Sequence, residues 1–305
     1  MGCAVSVPPD RRLVGGADTG ALLGISPFAT ASDVWLRIVH GEQRQVADVA
    51  NHGTLMEPGL FALIQSEAPG KYQTHPTLRH PHFEHGVGHL DLLRKEPSKA
   101  VVDAKMVHWT QREKWDNGVP DFVRTQLDWY MQCAGTDEAW VGAFFGLGDF
   151  RMIRVEPLDA DTRGSILEVV ERFWQDHVET GKPPPPDGSE AYASILTRLH
   201  PAKGVAVPLD AVALEHARKI SELKRQLKAL EARGEFEKQQ LEKWFSERNA
   251  KAGRSESMSV SWSKTVRKSV DWEGLATHLN PSPELLSRFA KQTEFTTLRI
   301  AENKS

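Results

Sequence analysis

Cysteine is almost missing from this chain of 305 residues: Cys3 and Cys133 are its two. No disulfide framework follows from so few, and a reducing, cytoplasmic setting is expected. A thiolate-held iron–sulfur cluster, which takes four such ligands, is excluded on the same count. Long apolar runs are missing as well. Nothing approaches the ~20 residues of a membrane-spanning helix, and no secretory leader is read, so no membrane association is expected. An excess of one charge is the third absence, with 38 Lys and Arg against 41 Asp and Glu. The balance is uneven along the chain: residues 205–305 hold 18 basic and 14 acidic side chains, and residues 1–204 the other 20 and 27. The basic tail reads as a solvated helix face with paired charges at least as readily as an arm for a polyanion.

What is present organises into two parts. A hydrophobic content of 40% suffices for one sizeable core with an appendage, expected as residues 1–204 and 205–305. Asp18–Gly24, Ser32–His40 and Thr54–Glu67 read as helices, the second N-capped by Ser32. Val87–Leu93 and Ala100–Val107 read as a strand hairpin around the turn-like Arg94–Lys99. A helix from Pro120 to Ala134, strands at Ala139–Phe145 and Phe150–Val155, and an amphipathic helix from Asp159 to Thr180 follow. Pro183–Pro186 stop that helix and are expected to begin a linker or boundary. Further on, Ile220, Leu223, Leu227 and Leu230 stand at heptad spacing. Only two clean heptads precede Gly234, so a helical hairpin bending at Arg233-Gly234 is as well supported as a coiled coil. A polar loop at Ser255–Ser261, a strand at Trp262–Val270 and a helix at Pro283–Ala290 complete the reading.

Chemistry concentrates between Gly88 and Tyr130. In a strand over Ala100–Val107, Asp103 and Lys105 project from one face and Ala104 from the other, so a carboxylate and an ammonium share a pocket. Antiparallel pairing with the preceding strand would bring Asp91 beside Asp103. Two carboxylates that close repel unless a cation lies between them, and Mg²⁺ favours one or two carboxylates with waters and phosphate oxygens. Such an ion acidifies a water and neutralises charge on a phosphate, and Lys105 would orient the nucleophile or stabilise that charge.

Gly88-His89-Leu90-Asp91 followed by Asp103-Ala104-Lys105 resembles the PD-(D/E)XK nuclease signature. Arg11–Asp18, Leu22–Phe28, Gly53–Pro58, Gln126–Met131 with Gly135, and His177–Pro183 resemble, in order, segments of the YqaJ-type viral recombinase family, relatives of phage lambda exonuclease. The resemblance implies an α/β fold, a restriction-endonuclease-like core with a central mixed sheet flanked by helices, here with a mainly helical C-terminal extension. It implies one or two Mg²⁺ ions, with Mn²⁺ able to substitute, on Glu57, Asp91, Asp103 and the carbonyl of Ala104. Lys105 would be the catalytic lysine, with Gln126 supporting it. Arg11 or Arg12 would receive a 5′ phosphate, and Ser26 belongs to the same substrate-binding set. The implied activity is degradation of linear double-stranded DNA from the 5′ end, leaving a 3′ single strand for recombination in a bacterial or phage-infected cell. A homo-oligomer, possibly trimeric, and a single-strand annealing partner are implied with it. Three positions depart from the family pattern: Asp103 stands for the more usual Glu, Ala17 for a frequent Ser, and Leu92 for a common Gly. Two other readings share the residues: an endonuclease or single-strand nuclease using this site, and a non-catalytic DNA-end or partner-binding protein with a decayed site.

Other features have plainer readings. His75, His80, His82, His85 and His89 crowd together, but no cysteine is near and no helix-borne zinc spacing is matched, so surface or phosphate-contacting histidines are expected. His89 would share the strand face of Asp91. Trp109 and Trp115 lie in the segment after the Asp-Ala-Lys strand, where packing over the loop is expected more than stacking on an unpaired base, the role Trp109 would take in substrate binding. Met1–Ser6 fits a myristoylation pattern by chance.

Overall fold

Two sheets share the N-terminal part of the chain in this computed structural model, which describes residues 12–42, 48–146, 148–199 and 206–263, with Ser282 and Glu284, and the backbone alone for 48–54. The smaller sheet joins β1 (Val14–Gly15), β3 (Thr77–Arg79) and β4 (Gly86–His89) in the order β1-β4-β3. The larger runs β2-β5-β6-β7-β8, from β2 (Lys71–Thr74), β5 (Leu92–Glu96), β6 (Ala100–Met106), β7 (Ala139–Gly146) and β8 (Asp149–Val155). In it β6 and β7 are parallel and the other neighbours antiparallel, so the sheet is mixed. A parallel pair needs a long crossover. Here it is a 3₁₀ helix, Trp109–Trp115, followed by α4 (Asp121–Ala134). Helices α1 (Gly16–Leu22), α2 (Ala31–Trp35, widening over Leu36–His40), α3 (Asp48–Glu67), α5 (Ala160–Phe173, widening over Trp174–Glu179) and α6 (Glu190–Leu199) complete the unit Met1–His200.

The period of two along β6 builds two cores. Val101 packs with Val141, Ala143, Leu127 and Met131 in the larger core, which includes α4. Val102 and Ala104 turn to the opposite face and meet Phe61 and Ile64 of α3 with Leu92. Contact on that side is tight: a Cβ on Gly142 would lie 2.5 Å from Ile64 Cγ1. Asp103 and Lys105 therefore point toward α4, and α3 covers the other side of the sheet.

Several expectations change. Ser32 does not cap α2: Thr30 stands at the N-cap, its amide and hydroxyl donating to Asp33, and Ser32 lies inside the helix. Val87–Leu93 is not one strand: the chain leaves the smaller sheet after His89 and enters the larger at Leu92, with Asp91 at the crossing. Pro183–Pro186 do not begin a linker. Pro184 is buried, and Asp187 just beyond accepts hydrogen bonds from Ser32 Oγ at 2.7 Å and from Ser189, which ties the segment to α2 ahead of α6. Those bonds hold the Asp187 carboxyl down at about 2, against the burial that opposes ionisation.

The second unit, Pro201–Ser305, is described by itself. Its α7 (Ala211–Glu247) starts at Asp210, whose carboxylate accepts from Ala213 N at 2.8 Å. No bend occurs at Gly234, so the helical hairpin is replaced by one 37-residue helix. Flanking Arg, Glu and Lys are strong helix formers, and one exposed glycine costs only about 1 kcal/mol. A short hairpin of β9 (Ala252–Arg254) and β10 (Ser259–Ser261) then returns over Phe245, which stacks with Trp262. The strand expected over Trp262–Val270 and the helix over Pro283–Ala290 fall almost wholly outside the described residues. Among the described residues no helix is long and apolar enough to cross a membrane.

Candidate active site

The β5–β6 register, Leu92 opposite Val102, places Asp91 across from Asp103 when carried one step further. Asp91 Oδ2 accepts the Ala104 amide at 2.8 Å, which fixes this carboxylate against β6 just past the point where the chain changes sheets. Asp103 is 1% exposed, and Lys105 Nζ lies 2.7 Å from its Oδ2. Oδ2 is thus a buried oxygen held by this ion pair. Burial first, and then the Asp103 charge, push the Asp91 carboxyl up to about 7, against Lys105 and the Ala104 amide, with Glu57 adding to the rise. Burial disfavours the Lys105 ammonium, but Asp103 and Asp91 outweigh it and raise its proton affinity. Lys105 is thus held as a cation, a donor and not a base.

Gln126 reaches the site from α4, accepting from Lys105 Nζ at 3.4 Å through Oε1. Its other end donates to the Tyr130 hydroxyl at 3.1 Å, one helical turn on. An amide pinned at its NH₂ end keeps its oxygen toward the lysine. The Tyr130 hydroxyl is buried beside Asp103 and Asp91, and burial followed by those charges raises its pKa. Sequence reasoning gave Tyr130 no part in the site; its i, i+4 spacing from Gln126, which puts the two on one helix face, was the available signal. Gly16 brings α1 against this turn, since a Cβ there would lie 2.5 Å from the Tyr130 ring and 3.0 Å from the Gln126 carbonyl oxygen. Asp18 and Arg37, also missed, brace the segment leading into α1: Asp18 accepts from Gly15 N at 2.6 Å and from Arg37, which also donates to the Leu13 carbonyl at 3.1 Å.

Not every candidate joins them. Glu57 is half-buried on α3, near enough for its charge to act on Asp91 and Lys105. Yet no group of three or more His, Cys, Asp or Glu among the described residues converges as a metal cluster. α3, which carries Glu57, packs through Phe61 and Ile64 on the face of the sheet opposite Asp103 and Lys105. Two close carboxylates, one buried and the other with raised proton affinity, still fit a hard divalent cation that takes its remaining ligands from water and phosphate. Arg11 lies outside the described residues, and Arg12 is exposed at the entry to β1. Ser26 is engaged in its own turn, accepting from Phe28 N and Ala29 N, and lines a separate cleft of about 620 Å³ with Thr30, Asp33 and Ser189. Trp109 is 70% exposed at the start of the 3₁₀ helix.

Of the five histidines, His80 and His82 stay adjacent, their ring centroids 6.1 Å apart. His80 stacks on Trp129 and His85 on Trp174, each at 4.0 Å, while His89 meets Thr77 Oγ1 at 3.1 Å. The change of sheet after His89 separates it from the strand that Asp91 precedes, so the shared face expected for the two does not form.

Comparison with known proteins adds a relative. No family model matches the chain. The uncharacterised protein YqaJ of Bacillus subtilis (strain 168) is 22% identical over 302 residues, spanning 96% of this chain and 92% of YqaJ. The chain is similar to YqaJ along nearly its whole length. Among solved structures, the alkaline exonuclease LHK-Exo from Laribacter hongkongensis superposes with a TM-score of 0.47 at 18% identity, covering 55% of this chain and 88% of that one. LHK-Exo in complex with dAMP gives 0.49 at 16%, covering 64% and 96%. A phage-related exonuclease from Haemophilus somnus 129PT gives 0.43 at 11%, covering 55% and 96%. The likeness to YqaJ agrees with the family resemblance that the ordered motifs carry.

Proposed function

We propose that this chain is a Mg²⁺-dependent deoxyribonuclease that degrades linear double-stranded DNA from the 5′ end and leaves a 3′ single strand for recombination. The observation that carries the reading is the constellation of Asp91, Asp103, Lys105 and Gln126 at the crossing between β4, β6 and α4. The polarity and the recombination role come from the family resemblance alone.

Asp91 and Asp103 would hold the cation, with the Ala104 carbonyl as a further ligand and Glu57 contributing charge from α3. The bound ion would supply neutralisation of phosphate charge and a more acidic water. The protein's own groups do the rest. Asp103 and Gln126 aim the Lys105 ammonium into the pocket, where it donates to the attacking oxygen or to the phosphate as negative charge grows. Fixed donors act strongly here because the Asp103 carboxylate is shielded from bulk water. Arg12 at the entry to β1, with Arg11, would take the 5′ phosphate, and the exposed Trp109 would stack on a base freed from its pair. A single-strand annealing protein would receive the 3′ strand.

The test is digestion of linear duplexes with 5′-phosphate or 5′-hydroxyl ends and of end-free circles, in Mg²⁺ and in Mn²⁺, with Lys105→Ala as control. Loss of linear DNA alone, faster with the phosphate and absent in the variant, is the expected result. Cutting of circles would replace the exonuclease reading with an endonuclease. No cutting by folded protein in either metal would leave a DNA-end-binding protein with a decayed site.

A further inference from the structure

Two strands pass between the sheets together. β2 and β5 pair as far as Thr74 opposite Leu92, and β3 and β4 begin at Thr77 opposite His89, with one register kept from Tyr72 to Arg79. The residues between stay bonded. His75 N donates to the Asp91 carbonyl at 2.9 Å, and Leu90 N to the Pro76 carbonyl at 3.1 Å. The four strands are therefore one two-stranded ribbon, bent where His75 faces Asp91. The bend shows in the backbone of His75, whose φ is +49°, in the left-handed region. An L side chain is disfavoured there, and a residue before proline prefers extended backbone besides, so Pro76 adds to the strain. Such strain persists where the surroundings impose it, and it gathers at functional sites. Here the two hydrogen bonds, the burial of Pro76 and Leu90, and the Phe61 ring of α3, 5.4 Å from the His75 ring, impose it.

We infer that His75 is a positioning residue for Asp91: its left-handed backbone bends the ribbon at the point that turns the Asp91 carboxylate onto β6, where it accepts the Ala104 amide beside Asp103. His75 acts through its main chain, from a strand that carries none of the proposed catalytic groups. Its N–H holds the Asp91 carbonyl while the Ala104 amide holds the Asp91 carboxylate, so the residue is fixed at both ends. Histidine suits the position, because with Asn and Asp it is among the non-glycine residues that most often take positive φ. The imidazole is exposed and is not what the placement needs. The inference rests on the proposed role of Asp91 as a ligand for the divalent cation.

Mn²⁺ binding by the full chain tests it, with free ion counted by electron paramagnetic resonance well below the melting temperature of each variant. His75→Asn and His75→Gly lose the ring but accept the conformation, so both should bind Mn²⁺ as tightly as wild type. His75→Ala loses the same ring and disfavours the conformation, and should raise the dissociation constant about fivefold, with His75→Val raising it about tenfold or more. Should the valine variant not fold, the contrast between alanine and asparagine decides. A merely structural role would lower the melting temperature of His75→Ala without separating its affinity from that of His75→Asn. Equal affinities of those two variants overturn the inference, whether both match wild type or both are weak, the second meaning that the imidazole itself is needed. Wild-type binding that survives Asp91→Ala removes the proposed role of Asp91, and this inference with it. Binding that Asp91→Ala abolishes and His75→Ala leaves intact keeps that role and overturns this inference alone.

Discussion

Lys105 is the residue on which the proposed chemistry turns, because its charge is held in place from two sides. Asp103 and Asp91 keep it protonated against the cost of burial, and Gln126 fixes its direction. Lys105→Ala should lower turnover on DNA by about 10²- to 10³-fold, measured under single-turnover conditions with the metal saturating. Tyr130→Phe frees the Gln126 amide to rotate. It should reduce kcat several-fold with KM for DNA little changed, and the fold should persist because the ring stays in the core. Asp91→Asn makes the opposite kind of change to stability. It removes a half-buried carboxylate close to the buried one of Asp103 while keeping an oxygen for the Ala104 amide, so without divalent ions the variant should melt at a higher temperature than wild type. With Mg²⁺ present the order should reverse, since only the wild-type pair would gain from cation binding, and thermal melts in both conditions check the sign. At this scale the sequence was informative: strand alternation at Asp103-Ala104-Lys105 and helical spacing at Gln126 and Tyr130 both depend on the nearest few residues. Ser26 was less readable, because a hydroxyl next to Pro27 bonds its own turn as readily as a substrate.

Elements carry these residues into register, and their joints are where reading from sequence failed. Val87–Leu93 has the composition of one strand, yet hydrogen bonding divides it between two sheets, a decision that belongs to partners distant in the chain. The prolines at 183–186 have the composition of a linker, yet the Ser32–Asp187 bond and the burial of Pro184 tie the segment to α2. α4 is held at its far side by another long-range contact. Asp128 is buried and accepts from Arg163 of α5 at 2.9 and 3.1 Å and from Leu158 N at 2.8 Å. Arg163→Met leaves that carboxylate short of its cation and should cost about 3 kcal/mol in urea unfolding. Because α4 also positions Gln126, activity should fall along with stability.

For the molecule as a whole, pH sets a limit through His80. Burial lowers its pKa to about 4 from 6.5, with His82 adding to the effect and a Gln132 hydrogen bond and Asp128 opposing it. The unfolded chain takes up this proton as pH falls below the ordinary value, and the folded one does so only near pH 4. Stability from this group is therefore full above about pH 6.5 and is lost as pH falls toward 4, by at most about 3 kcal/mol. Urea midpoints between pH 7 and 4.5 should drop less in His80→Gln than in wild type. What the sequence by itself determined is the chemistry available and its local spacing: the carboxylates, the lysine, the mixed α/β pattern and the long charged tail. Local periodicity is sufficient for these because backbone geometry fixes which neighbours share a face. Only the tertiary structure decided that Asp91 lies at a change of sheets, that α3 packs on the face of the sheet opposite Asp103 and Lys105, and that α7 runs straight through Gly234. The first two depend on hydrogen bonds and packing between distant segments, whose free energy no short window of sequence contains; the third turns on strong helix formers outweighing one exposed glycine.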